Sequence, residues 1–163
     1  MTRMQRKILI EFAVVLGLTL LAAVAMINLK DWVNRSEAMR AMQELARQIN
    51  HYRQQYARIP PESWVKQQAQ TVPGYPRLGR LEYRGLWIDF ESPPDTILAY
   101  SERNYRGFAG RGYVVMRLNG RVEWLDKQTF EKLLARQQTE EEVKLLEKHP
   151  AGELEPPRPI WGR

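Results

Sequence analysis

The chain has 163 residues, with 25 basic and 19 acidic side chains, a formal net charge of +6 and no cysteine. At this length one domain is the expectation, and the lack of cysteine excludes a disulfide framework and cysteine-ligated metals while leaving the compartment open. Apolar residues crowd the first 30 positions and the remainder is polar, so the composition points to a membrane anchor joined to a water-soluble part.

The first element is the apolar run itself. Phe12 to Leu29 is 18 residues without a charge, which at about 1.5 Å per residue covers roughly 27 Å, close to the hydrocarbon thickness of a bilayer. With Ile8 to Ile10 added, residues 8–29 are predicted to form a transmembrane helix. The stretch "LAAVA" imitates a signal-peptide cleavage site only weakly, so the anchor is expected to be retained. Arg3, Arg6 and Lys7 precede the run with no acid among them, whereas Lys30 on the far side has Asp31 beside it. This excess of base on the 1–7 tail predicts an N-terminus in the cytoplasm and a C-terminal domain outside. Without Arg3, Arg6, Lys7 and Glu11, residues 30–163 keep 22 basic against 18 acidic side chains, a mild excess that is not diagnostic of nucleic acid.

Glu11 sits about one turn inside the run. A bare carboxylate at mid-bilayer costs about 2.5–3.5 kcal/mol on insertion scales, and less near an edge. Two uses remain open for it. Lys7 and Glu11 are spaced i, i+4 and can pair on one helix. Alternatively, Glu11 meets a positive group on a neighbouring subunit.

The helical pattern continues past the anchor. Ala38, Met42, Leu45, Ile49, Tyr52 and Tyr56 follow at steps of four and three, and residues 18–59 contain neither proline nor glycine. One rod from about residue 8 to about residue 57 is predicted, with 30–58 as an amphipathic extension. The stripe is expected to pack on a sheet of the same chain, and a short coiled coil with a partner is its competing use. "RIPPESW" stops the rod, because the residue before a proline is driven out of the helical region. A short helical turn is expected from Ser63 to Gln70, and turns over "TVPGYPRLGR".

Strand-like pieces follow at 81–90, 96–101, 113–118 and 121–125, the last two joined by Asn119-Gly120. That pair between strand runs signals a hairpin, read as a type I′ turn with positive φ at both positions. Val114, Met116, Val122 and Trp124 would face the helical stripe, and Tyr83, Leu86 and Trp87 would be core with arginines outside. Asp126 is placed to cap a helix to about residue 137, and Thr139 with Glu142 reads as a capping box for another reaching Lys148. The tail "HPAGELEPPRPIWGR" is expected to be disordered or laid over the surface. The predicted fold is therefore α+β: a long N-terminal helix on a small antiparallel sheet, with 59–136 as the outer domain and 137–163 as a C-terminal helix and tail.

This pattern resembles the type IV pilin-like proteins, and within them the pseudopilins of type II secretion systems. "IEFAVVLGLTLLAAVAM" is similar to the family's apolar N-terminal segment with Glu11 at its glutamate position, and "ILAYSERN…GYVVMRLNGRVEWLDKQTFEKLLA" is similar to a closing hairpin and helix. The resemblance covers residues 6–57 and 96–136. It implies a non-enzymatic subunit of a bacterial secretion or pilus-type assembly, held in the inner membrane with its outer domain in the periplasm. Its implied partners are the lipid bilayer and other pilin-like or secretion-system proteins. The place of the family's prepilin-peptidase glycine holds Arg6 and Lys7, so an uncleaved anchor is expected.

Catalysis has little support, and no cofactor or metal is expected. His51 lies among helix residues and His149 precedes a proline, each without a nucleophile or ligand pattern beside it. Two stretches, 75–87 and 100–113, interleave bases with aromatics in the manner of single-strand binders. Ordinary strand alternation explains them better, so nucleic acid is not the expected partner; a DNA-binding minor pilin and a helical scaffold stand as the alternatives.

Overall fold

The computed structural model describes residues 3–105 and 110–148, and their side chains except those of residues 8 and 145–148. His149 and the proline-rich tail lie outside the described residues. The elements are α1 (Arg3–Tyr56), α2 (Glu62–Thr71), α3 (Tyr75–Leu78), β1 (Leu81–Tyr83), β2 (Ile97–Asn104), β3 (Arg111–Arg117), β4 (Val122–Asp126), α4 (Lys127–Gln137) and α5 (Glu140–Lys148). The architecture is the α+β arrangement that the patterning predicts, a long apolar N-terminal helix with a small antiparallel sheet.

α1 is unbroken for 54 residues, about 80 Å at the standard rise. It begins earlier than expected, with residues 3–7 already helical. It ends where Ala57 takes a positive φ of 49° and donates its N–H to Arg53 O at 2.9 Å, with Pro60 and Pro61 preventing any continuation.

The strands form a meander in the order β1-β2-β3-β4, every pair antiparallel. α1 covers one face. Ala38, Met42, Leu45 and Ile49, with Ala41 and Ala46, are buried against Leu98, Ala99, Val114 and Met116, and Val122 and Trp124 pack at the margin. Burying each Met, Leu or Ile of this stripe is worth roughly 1.5–3 kcal/mol. The other face is covered by α4, where Ile97, Val115 and Phe130 form a second cluster with Tyr100, Tyr113 and Leu125. A register shift between Ile97 and Ala99 sends Leu98 and Ala99 both to the α1 side. Asp126 caps α4, its carboxylate accepting from Thr129 N at 3.0 Å.

Several local expectations are corrected. The strand predicted over 81–90 stops at Tyr83. Arg84 turns inward and Trp87 N donates to Arg84 O at 2.9 Å, closing a turn that leaves Leu86 79% exposed. The supposedly turn-only stretch contains α3, which starts after Gly74 with Pro76 in its first turn, where a missing N–H costs nothing. The 119–120 hairpin has positive φ at Gly120 alone. Gly120 N donates to Arg117 O and Arg117 N to Arg121 O, both at 2.9 Å, which is a three-residue loop closed by a left-handed glycine rather than a type I′ turn.

Arg84 is the largest departure. An arginine expected outside is 3% exposed and forms a two-pronged ion pair with Glu142 of α5, Nε to Oε1 at 2.7 Å and Nη2 to Oε2 at 2.9 Å. Its remaining donors reach Ile97 O at 2.8 Å and Gln137 O at 3.1 Å. Glu142 therefore performs half of the predicted capping box: its N–H donates to Thr139 Oγ1 at 3.3 Å, but its carboxylate belongs to Arg84. Removing one partner of such a pair strands a buried charge, so Glu142→Ala is expected to destabilise the full-length protein by about 3–5 kcal/mol in urea unfolding, while Arg84→Met with Glu142→Leu regains most of that.

Candidate functional site

The candidate site is the arm of α1 that stands outside the rest of the protein. None of its 18-residue apolar window is buried, and the helix is long and apolar enough to cross a membrane. Phe12, Leu21 and Leu29 are all more than half exposed, on different sides of the helix. A helix that is apolar all round has no single face to offer a soluble core. The arm's polar side chains are satisfied within the helix: Thr19 Oγ1 donates to Val15 O and Asn28 Nδ2 to Val24 O, each at 2.9 Å. Such back-bonding is what polar groups require where water is absent.

Glu11 lies on this arm with Lys7 one turn before it. Lys7 Nζ is 3.9 Å from Glu11 Oε1, and the two side chains are 80% and 64% exposed. The distance is at the outer limit for an ion pair. A pair this exposed contributes a few tenths of a kcal/mol in water, and the carboxylate keeps room for a second cation.

The stripe residues lie elsewhere. Ala38, Met42, Leu45 and Ile49 are at most 1% exposed and Tyr52 is 8% exposed, all covered by the chain's own sheet and small helices. Tyr56 does not enter this core: it is 50% exposed, because α1 outruns the sheet in its last turn. Its ring instead lies tilted against Tyr52 at 4.6 Å, and Tyr52 in turn meets Trp64 at 4.7 Å. Asn119 and Gly120 sit at the far pole. Asn119 Oδ1 accepts from Arg121 N at 2.9 Å, and Gly120 lies so close to Asn50 of α1 that a Cβ there would collide with its side-chain amide. Arg53 Nη1 donates to Leu118 O, tying the same turn to α1.

Many of the described arginines and rings of the two aromatic–basic stretches are committed to structure, and residues 106–109 of the second lie outside the described residues. Arg77 pairs with Glu37 at 2.9 Å, Arg80 with Glu82 at 2.5 Å and Arg111 with Glu102 at 2.5 Å. Tyr83 donates to Pro60 O at 2.8 Å. Tyr100 and Tyr113 enclose Phe130, with centroids at 4.8 and 3.8 Å. Beside these rings lies an open cleft of ≈ 620 Å³ rimmed by Arg80, Glu82, Glu102 and Arg111, without a nucleophile and base in contact. Among the described residues no three His, Asp or Glu side chains converge as metal ligands. His51 is exposed on α1.

Two features escaped the sequence reading. The Arg84–Glu142 pair joins residues 58 positions apart, and nothing local marks either partner. At the arm's junction with the outer domain, Arg35 lies over the Trp124 ring at 4.8 Å, and Trp124 meets Tyr105 at 5.5 Å; strand alternation places Trp124 on the α1 side but does not name Arg35.

No family model, curated protein or solved structure matches the chain.

Burial governs the buried phenols. It pushes Tyr100 from 10.0 up to about 12, with Glu82 adding to the rise and Arg84 opposing it, and it raises Tyr83 as well. The fold thus holds these protons more tightly than the unfolded chain. The stability they confer is complete below the unfolded value near 10 and is lost as pH rises toward 12. Urea unfolding across that window is expected to show falling stability, with phenolate absorbance appearing late for the protected rings; a flat profile would contradict this assignment.

Proposed function

We propose that this chain is a non-enzymatic, single-pass membrane subunit of the pilin-like kind, acting in a bacterial secretion or pilus-type envelope assembly. The observation that carries the reading is the division of α1 into two halves with opposite surroundings. Its outer half is the spine of the folded head, and its inner half is apolar, with none of its apolar window buried, and is marked by Glu11. The excess of Arg3, Arg6 and Lys7 before the apolar run favours a cytoplasmic N-terminus in the inner membrane and a periplasmic head. Arg6 and Lys7 at the place of the processing glycine favour an uncleaved anchor.

In this reading the arms associate laterally in lipid. Glu11 is the specific contact, meeting Arg6, Lys7 or the terminal amine of a neighbour in a medium where such pairing is stronger than in water. A helical scaffold pairing through residues 31–57 is the second reading. It is disfavoured because its stripe is already spent: a coiled coil would have to strip Met42, Leu45 and Ile49 from their own sheet.

The test is crosslinking in native membranes, using a single cysteine introduced at Gly17 of this cysteine-free chain. Glu11→Ala is expected to weaken association by about 1–2 kcal/mol, the scale of polar contacts between membrane helices, with the head's unfolding midpoint unchanged. Undiminished crosslinking would reject the role of Glu11. The mass of the chain extracted from membranes is expected to match the uncleaved sequence, and a chain cut near Arg6–Lys7 with a methylated terminus would overturn the uncleaved anchor.

A further inference from the structure

The boundary between arm and head is abrupt. Leu29 is 61% exposed and Asp31, two residues later, is 8% exposed, so the head begins where the apolar run ends. No linker intervenes, because α1 is continuous through both. The sheet has a definite polarity relative to this junction. The β3–β4 turn packs on Asn50 and Arg53 of α1, roughly 30 Å along the helix from Leu29. The end of β2 points the other way, with Tyr105 against Trp124 and Trp124 against Arg35. Arg35 is six residues past Leu29, about 9 Å along the axis, and a headgroup layer is itself about 5–7 Å deep.

We propose that this end of the head is a phospholipid-headgroup contact surface, formed by Trp32, Arg35, Tyr105 and Trp124 with Arg77 and Arg103 beside them. The inference rests on the reading of the α1 arm as membrane-embedded. Its side-chain chemistry is that of an interfacial belt: indole and phenol rings that take up the boundary between hydrocarbon and water, and guanidinium groups that grip phosphate oxygens in pairs. Trp32 is 66% exposed immediately above the apolar run. Lys30, Arg35, Arg77, Arg103 and Arg111 lie at this end with the acids Asp31, Glu37, Glu102 and Asp126, of which Glu37 is engaged by Arg77 and Glu102 by Arg111. Arg103 Nη2 reaches Pro76 O at 3.3 Å, while its Nε and the Tyr105 hydroxyl are buried with no hydrogen-bond partner among the described residues, which leaves the guanidinium's outer edge as the part that can meet a phosphate. Burial lowers the Arg103 pKa and the like charge of Arg77 adds to this, while Tyr105 opposes it; a phosphate alongside would relieve that repulsion.

The test uses the full-length chain in nanodiscs, spin-labelled at one introduced cysteine at a time: Leu20→Cys in the arm, Asn104→Cys at the near end of β2 and Arg121→Cys at the far turn. Nickel-chelating lipids added to the disc relax labels that lie at headgroup level. The expected result is strong relaxation at 104, little at 121, and a label at 20 that is shielded from water-soluble nickel. In discs of zwitterionic lipid alone, an equal signal at 104 would support binding to phosphate of any phospholipid; a stronger signal with anionic lipid would support selection of anionic headgroups. Arg35→Gln with Arg77→Gln is expected to cut the relaxation at 104 several-fold. Equal relaxation at 104 and 121 with a lipid-shielded label at 20 would overturn the headgroup surface and leave the anchor intact. A water-exposed label at 20 would overturn both. Unchanged relaxation at 104 in the double variant would overturn the arginine–phosphate contact.

Discussion

The structure depends on the grip of the sheet on the outer half of α1. Met42, Leu45 and Ile49, interleaved with Ala38, Ala41 and Ala46, are essentially dry, and the alanines let the helix lie close against Val114 and Met116. That grip has consequences beyond the head's own stability. Because the same helix runs on into the arm without a proline or a cap, and without glycine between residues 18 and 56, the packing that holds residues 38–49 also sets the direction in which residues 9–29 leave. In a chain with a flexible linker the head would be free to tumble; here head and arm share one axis. The turn at Leu118–Gly120 strengthens the arrangement at the far pole, where Arg53 and Asn50 meet it, and Arg35 with Trp124 does so at the near pole.

The second constraint is ionic. A meander of four strands has two edges, and β1 is only three residues long, which blunts one of them. The Arg84 guanidinium begins where that strand ends. It draws together the Ile97 carbonyl at the start of β2, the Gln137 carbonyl at the end of α4 and the Glu142 carboxylate of α5. Gln137 completes the knot by accepting from Ile97 N at 2.8 Å. A hydrophobic cluster could fill this corner at lower desolvation cost. What the charged pair adds is direction: a planar fork accepts a carboxylate from one side only, so α5 docks in one register although Val143 remains exposed.

Much of this was legible in advance, and the reasons differ by element. The spacing of Ala38 to Tyr52 specified a helix and its buried side because periodicity is a local property that survives folding. Asn119-Gly120 announced the hairpin, and Asp126 the start of α4, because turns and caps are made by neighbours in sequence. The failures are equally physical. Tyr56 continued the period but outran the surface that would have covered it. Hydrophobicity places Leu86 in the core, whereas the turn that carries Arg84 inward leaves it in solvent. The type I′ turn expected of an Asn-Gly pair gives way because Gly120 alone carries the left-handed conformation. Arg84 and Glu142 could not be paired from spacing, as their contact exists only once β1, β2 and α4 have assembled. The same holds for the candidate surfaces: the apolar arm is visible in composition, but the Arg35–Trp124–Tyr105 corner comes from three separate elements.

The rigidity of α1 also bears on which way Glu11 faces. Counting 3.6 residues per turn from Glu11 to Ala38, Met42, Leu45 and Ile49 gives rotations of roughly 160–220° for all four. Glu11 and its neighbour Lys7 therefore lie on the side of the helix opposite the sheet. A partner that engages Glu11 approaches from the side away from the head, so arms can close on one another while their heads stay clear. The alternative placement, with the carboxylate under the sheet, would bring two heads into collision before the arms could touch. The proposed lateral association through Glu11 is thus sterically compatible with a head this tightly bound to α1, because the stripe that holds the head and the Glu11 carboxylate divide the two sides of one helix between them.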